Sequence, residues 1–436
     1  MDSALRAELE HQLGVSLKLQ RRHDEALSHL HAAEALAKPG RDLLLVRADV
    51  LQHMGRFDEA AAVYEALVVA DPLDLGVHLL LNEIYHQRGH ETEFLRSYDT
   101  ALAHAPGAAL LPMTKGRYLL RLNRTQEAQE AFRHALAIAP DDPAALAGLG
   151  RALEAGGDVT GASACYGKAL AQGPDSYDVM EDYAGFLLRQ QDFQKAEAVA
   201  DKAHRMRPLS QGALGFLGLC YRARNNPREA WLNDYQDHVQ VFDLEPPDGY
   251  CDMASFNRDL GAYLGGLHGE AREFFSQTAR GGGTRLHDEL FYNGHPLVDL
   301  LLPRLSAAIQ TYAMRLKTRA GHPLVSRRAH GFRFSGSWST RLNDNGFHVN
   351  HLHHKGWISS CYYVEVPDAA ADPALQQGWI KFGEPAAEFG AAFTPRRTVQ
   401  PLPGRLVLFP SYMWHGTIPF HSPQKRITIA FDALPA

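Results

Sequence analysis

A 34-residue period runs through the first half of this chain, and no other feature restricts its fold so strongly. Alanine returns at Ala26, Ala60, Ala128, Ala162, Ala196 and Ala230, with Phe94 at the skipped point. Proline keeps the same interval at Pro72, Pro106, Pro140, Pro174 and Pro208, and Pro39 falls one residue off it. A small residue such as Ala162 lets two antiparallel helices approach closely, while Leu153 and Tyr166 fill the space between them. Proline then ends the second helix, because it has no N–H and disfavours helix in the residue before it. One helix pair cannot bury its apolar face alone, so the pairs must stack. The period predicts an all-α repeat array.

Within one unit, Leu149-Gly150, Leu153, Ala162, Tyr166, Ala169 and Pro174 stand at the offsets of the tetratricopeptide motif. Leu13-Gly14 and Leu217-Gly218-Leu219-Cys220-Tyr221 repeat its first-helix signature. Residues 5 to about 238 therefore resemble a tetratricopeptide solenoid of about seven units, irregular at both ends as caps should be. The resemblance implies a groove for a protein or peptide partner. A scaffold that only forms homodimers or steadies the rest of the chain is the alternative.

A chain of 436 residues exceeds one ordinary core, and two or three domains are expected. A net charge of −6 gives no reason to expect nucleic acid as a partner. No run of about 18 apolar residues occurs and no basic-then-apolar leader opens the sequence, so neither a membrane partner nor a signal peptide is expected. Cys165, Cys220, Cys251 and Cys361 lie far apart without a CxxC pair. They read as reduced thiols of a cytoplasmic protein.

Beyond Ala230 the period fails. Val239-Gln240-Val241-Phe242-Asp243-Leu244 alternates and ends in Glu245-Pro246-Pro247-Asp248-Gly249, which places the domain boundary at 238/239. Helical spacing returns over Met253–His268 and Leu297–Leu316, giving a leading region of 239–330. Between them Arg280-Gly281-Gly282-Gly283-Thr284-Arg285 lacks the Gly-Lys-Ser/Thr of a phosphate loop and reads as a loop bordering a site. From 331 to 436 the texture is that of short strands: Phe332–Trp338, Trp357–Val366, Gly378–Phe382, Arg405–Pro410 and Arg426–Phe431. Turn clusters separate them, as a sandwich or jelly roll requires.

Chemistry concentrates in Phe347-His348-Val349-Asn350-His351-Leu352-His353-His354-Lys355-Gly356-Trp357. His351 and His353 leave one face of an extended backbone, the arrangement that offers two ligands to one metal ion. The third is sought in His415, within Ser411-Tyr412-Met413-Trp414-His415-Gly416-Thr417. Arg426 follows eleven residues later and opens the last strand.

The order His-x-His, Ser359-Ser360-Cys361-Tyr362-Tyr363-Val364, Gly378-Trp379-Ile380-Lys381-Phe382, then Pro403-Gly404-Arg405-Leu406-Val407-Leu408-Phe409-Pro410-Ser411 to His415 and Arg426 resembles the bacterial 2-oxoglutarate/Fe(II)-dependent oxygenases. The resemblance covers roughly 239–436 and is densest after Trp338. It implies a double-stranded β-helix in which His351 and His415 bind Fe(II) and Arg426 binds the far carboxylate of 2-oxoglutarate, with O2 as the other co-substrate. Thr428 shares the strand face of Arg426, and Tyr363 or Tyr362 would add a hydrogen bond from a neighbouring strand. No catalytic residue is expected beyond these ligands.

The chain departs from the family at His353, where the wider superfamily carries an acid. Three arrangements follow: a three-histidine site (His351, His353, His415), a two-histidine site with His353 outside the ligand set, or a carboxylate from elsewhere, Asp344 and Glu365 being nearest. Alternation favours the first. His348, His354, Trp357 and Lys381 are expected as neighbours of the site, with Lys381 the fallback anchor for a carboxylate. Trp338, Trp357, Trp379 and Trp414 read as core or pocket wall and His421 as surface. The expected function is a dioxygenase that hydroxylates a protein, peptide or other substrate presented by the repeats. The alternatives are a cupin-like or zinc metalloenzyme and a non-catalytic interaction scaffold.

Overall fold

The computed structural model describes residues 3–20, 22–90, 92–268, 278–281, 283–285, 290–390 and 392–436. The chain divides into two compact units, Met1–Gln172 and Gly173–Ala436. That division lies inside the helical array, so it is a different boundary from the change of sequence texture at 238/239.

The first unit is all helix: α1 (Ser3–Leu19), α2 (His23–Leu36), α3 (Arg41–His53), α4 (Phe57–Ala70), α5 (Leu75–Arg88), α6 (Arg96–His104), α7 (Leu110–Arg121), α8 (Thr125–Ile138), α9 (Pro143–Ala155) and α10 (Val159–Gln172). The grid alanines Ala26, Ala60, Ala128 and Ala162 are all fully buried. A second element of the period fits a small residue of one helix against a large one of the next. A Cβ added at Gly14 would lie 2.8 Å from Leu30, one at Gly116 2.8 Å from Phe132, and one at Gly150 3.1 Å from Tyr166. A third keeps the turn left-handed inside the four pairs from α3 to α10, with φ of +74° at Gly55, +69° at Gly89, +58° at Asn123 and +88° at Gly157. Gly and Asn adopt that conformation at least cost. The irregular point at Phe94 coincides with a short helix, α6, entered through Leu95 at φ +63°.

The second unit begins with three more repeat helices, α11 (Tyr177–Arg189), α12 (Phe193–Met206) and α13 (Gln211–Ala223), followed by short α14 (Arg228–Leu232) and α15 (Tyr235–His238). Then come β1 (Gln240–Asp243), α16 (Met253–His268), β2 (Ala279–Arg280), β3 (Thr284–Arg285) and α17 (Pro296–Arg315). The remainder is β4 (Phe332–Leu342), β5 (Phe347–His348), β6 (Ile358–Glu365), β7 (Ile380–Phe382), β8 (Arg397–Val399), β9 (Arg405–Pro410), β10 (His415–Thr417) and β11 (Arg426–Pro435). The long strands form a sheet in the order β1-β9-β6-β11-β4-β3, antiparallel throughout. Short strands make a second layer, β10-β7-β8 and β2-β5. This is the expected double-stranded β-helix.

Alternation along β6 shows how the sheet is used. Cys361 and Tyr363 face inward onto Ile380, Phe382 and Phe409, whereas Ile358, Tyr362 and Val364 face outward onto α16 and α17 through Phe256, Leu260 and Leu305. One face therefore closes the barrel and the other is sealed by helices, so all eight residues of β6 except Glu365 are buried. Leu214, Leu217 and Tyr221 of α13 belong to the same outer core. The last repeat helix is thus part of the body that carries the β-helix.

Candidate active site

Three histidines converge although they do not share a regular strand. His351 and His415 form an isolated antiparallel bridge, each N–H donating to the other's carbonyl at 2.8 and 3.0 Å. His353 N–H donates to Ser411 O at 2.9 Å, which sets the second imidazole beside the first. Their ring centroids are 4.3 Å (351–415), 5.1 Å (353–415) and 5.2 Å (351–353) apart, and one ligating atom from each lies within 4.8 Å of the others.

Hydrogen bonds fix which nitrogen faces inward. His351 Nδ1–H donates to Val349 O at 2.8 Å and His415 Nδ1–H to Met413 O at 3.0 Å. His353 Nδ1–H donates to Asp432 Oδ1 at 2.6 Å. Since the acceptors are carbonyls and a carboxylate, Nδ1 is the donor in each bond and each ring turns Nε2 to the common centre. His415 is buried, and burial first, then the neighbouring His351 and His353, hold its pKa well below the usual histidine range. It is neutral, as a ligand must be. His351 Nε2 and His353 Nε2 stand 3.2 Å apart. Two nitrogens bound at right angles to one ion, each at about 2.1 Å, are separated by about 3.0 Å. The residues fit a metal.

The same cavity, of about 580 Å³, contains Arg426 and Thr428. Arg426 is 1% exposed, its Nε has no hydrogen-bond partner, and among the described residues no carboxylate pairs with it. Its guanidinium lies 5.0 Å over the Tyr363 ring. A buried cation without a counter-ion is costly unless an anion completes it. Tyr363 Oη is likewise buried without a partner. Phe409, 4.5 Å from the His415 ring, and Ile380 give the cavity apolar walls.

Several expected neighbours stand elsewhere. Tyr362 faces outward and donates to Asn257 Oδ1 at 2.7 Å, because alternation gives the inward place to Tyr363. Trp357 is core, its Nε1–H donating to Leu324 O at 2.9 Å. Lys381 is paired with Glu384 at 2.6 Å, while Ile380 takes the cavity side of β7. Asp344 is a surface carboxylate accepting from Ser422 N, and Glu365 lies against Gly261 on the helical side. His348 does line the cavity, with Nδ1 3.2 Å from Thr278 Oγ1. His354 reaches the rim but is mostly exposed, 3.7 Å from Glu181. The stretch 280–285 is not simply a loop: Arg280 pairs with Phe347, and Thr284 and Arg285 pair with Arg341 and Thr340 of β4, whereas Gly282 lies outside the described residues.

Two contributors have no counterpart in the sequence reading. Asp432 follows Arg426, Thr428 and Ala430 at the strand period, but the expected strand stopped at Phe431, one residue short. The other is α13. Its Gly215 gives a notch for Leu352, which sits between His351 and His353: an added Cβ would lie 2.3 Å from Leu352 Cδ2. Gly215 O accepts from Trp414 Nε1–H at 3.2 Å, beside His415, and Gln211 N–H donates to His354 O at 3.1 Å. A repeat helix thus holds the backbone on both sides of the histidine cluster.

Residues 336–432, from β4 through β11, match the family described as Putative 2OG-Fe(II) oxygenase. Tetratricopeptide repeat models match 12–74, 45–109, 119–181, 155–210 and 186–237. The chain is a tetratricopeptide-repeat protein with a C-terminal domain of that oxygenase family. The oxygenase match encloses the three histidines, Arg426 and Asp432. Among curated proteins, human Protein O-mannosyl-transferase TMTC1 is 31% identical over 185 residues, 42% of this chain and 21% of the transferase. The chain thus spans about a fifth of that relative's length. A prolyl-4-hydroxylase from Pseudomonas putida aligns over 48% of this chain and 98% of its own at 16% identity and a TM-score of 0.31. A tetratricopeptide repeat protein from Parabacteroides merdae aligns over 53% and 92% at 15% identity and a TM-score of 0.37. Among the described residues no helix is long and apolar enough to cross a membrane.

Proposed function

We propose that the protein is an Fe(II)- and 2-oxoglutarate-dependent dioxygenase that hydroxylates a protein or peptide held by its repeats. The observation that carries this is the pairing, in one cavity, of three inward-facing imidazole nitrogens with a buried, uncompensated guanidinium. A hydrolytic zinc site needs the first but has no use for the second.

His351, His353 and His415 would hold the iron through their inward-facing Nε2 atoms. Bound iron, 2-oxoglutarate and O2 supply an oxidant for an unactivated C–H, the co-substrate leaving as succinate and CO2. The chain's part is positioning. Arg426 grips the far carboxylate, a task suited to guanidinium because it forks onto two oxygens and stays charged in a buried site. The Tyr363 ring stands 5.0 Å from its guanidinium carbon, and Thr428 lies on the same strand face. Phe409 and Ile380 keep water from the ion. The repeats supply the partner groove.

Succinate formation from 2-oxoglutarate with Fe(II), without added substrate, tests the reading. Slow turnover is expected, abolished in His351→Ala and in Arg426→Ala. Tight zinc binding with no succinate would contradict it.

A further inference from the structure

The three-histidine set contains no acid, and the structure holds a carboxylate one hydrogen bond away from it. Asp432 Oδ1 accepts from His353 Nδ1–H at 2.6 Å and from Ser359 Oγ–H at 2.6 Å. Ser359 Oγ is 2.9 Å from Ser411 Oγ, and Ser411 O accepts from His353 N–H. The carboxylate is therefore braced from the neighbouring strand and from the segment that leads to His415. Trp338 stands with its ring 5.7 Å from that of His353. Asp432 lies on β11 beside a shift in strand register between Asp432 and Ala433.

We propose that Asp432 is a positioning residue that makes His353 the anionic arm of the metal site. It fixes the ring so that Nε2 points inward, and through Nδ1–H it lends the negative charge that a directly bound carboxylate would otherwise bring. A carboxylate behind a metal-bound imidazole raises the ligand's basicity, and removing such a partner commonly weakens metal binding by about 10- to 100-fold. His353 can thus replace an acid without leaving the centre uncompensated. This rests on the metal-site reading above.

Co(II), titrated into the full-length protein without oxygen and followed by its visible absorption, is the probe. The wild type should bind one ion and His351→Ala none; no binding by the wild type overturns the metal-site reading together with this proposal. Asp432→Asn keeps an acceptor for His353 Nδ1–H and for Ser359 but removes the charge. About a tenfold weaker affinity and shifted absorption bands are expected. Asp432→Ala should approach a hundredfold loss, with a melting curve of the metal-free protein showing whether it folds. The second test is a sign reversal. In a His353→Asp background the two carboxylates would repel, so adding Asp432→Asn should strengthen binding. Wild-type affinity and spectrum in Asp432→Asn, with a normal wild-type titration, would overturn the proposal while leaving the three-histidine site intact. So would an equal weakening by Asp432→Asn in both backgrounds.

Discussion

Helices α9 and α13 are the same element of the repeat, two periods apart, yet they meet different neighbours. Toward the partner helix they agree: Gly150 admits the Tyr166 ring in one and Gly218 admits Asn233 in the other. At the next positions they part. Ala144 and Ala147 of α9 become Gly212 and Gly215 of α13, where Glu181, His354, Leu352 and Trp414 press close. Glycine inside a helix is less favourable than alanine by about 1 kcal/mol, so the substitution works against the helix itself. The repeat period governs only the face toward its own partner. The opposite face of α13 is shaped by the loop that carries His351 and His353.

The five tryptophans, Trp231, Trp338, Trp357, Trp379 and Trp414, all lie in the second unit, so their fluorescence reports that unit alone. The largest effect expected there is acid sensitivity at the point where the array ends. Burial first, then His322 and Arg319, push His238 down from 6.5 to about 4. A histidine with a lowered folded pKa is neutral in the fold, so its contribution is complete above pH 6.5 and is lost as pH falls toward 4, about 3 kcal/mol in all. Urea unfolding followed by tryptophan fluorescence should show this slope, reduced in His238→Leu. An identical pH profile in the variant would remove the assignment.

Next in size is the contrast of the two helices. Gly215→Val drives a branched side chain into Leu352 and should weaken Co(II) binding at least tenfold, about 1.4 kcal/mol, with helix content retained. Ala147→Gly, at the matching place in α9, should cost about 1 kcal/mol in the first unit and leave Co(II) affinity unchanged. If Gly215→Val bound metal normally, α13 would be a packing helix like any other.

The smallest effect concerns the left-handed turns. Gly157 and Gln191 occupy the same point of the period, at φ +88° and +60°. Glutamine is strained there and glycine is not, so Gln191→Gly should stabilise the second unit by about 0.5–1 kcal/mol. A loss in urea titration would refute this.

These contrasts also explain what could be read from the sequence. The repeat array was legible because each grid residue answers to a partner a fixed distance along the chain, as Ala162 does to its own pair. The long strands and helices α16 and α17 were legible from periodicity, Met253–His268 to the residue. Strands β2, β5, β8 and β10 were not, since two or three residues carry no period and are held by pairing alone. At the site, His351, His353, His415 and Arg426 announced themselves by residue type. Asp432 and Gly215 did not, because their roles come from contacts with residues 79 and 137 positions away, His353 and Leu352. Tyr362 and Tyr363 could be separated only once the register of β6 against β11 was known.

The central claim is that iron and a keto-diacid share one cavity, held by the histidines and by Arg426. Calorimetric titration of 2-oxoglutarate into the oxygen-free protein, with and without Fe(II), tests it most directly. Binding should require Fe(II), and Arg426→Ala should still take up the metal but bind 2-oxoglutarate at least tenfold more weakly. Equal affinity in the variant, or binding indifferent to iron, would contradict the account.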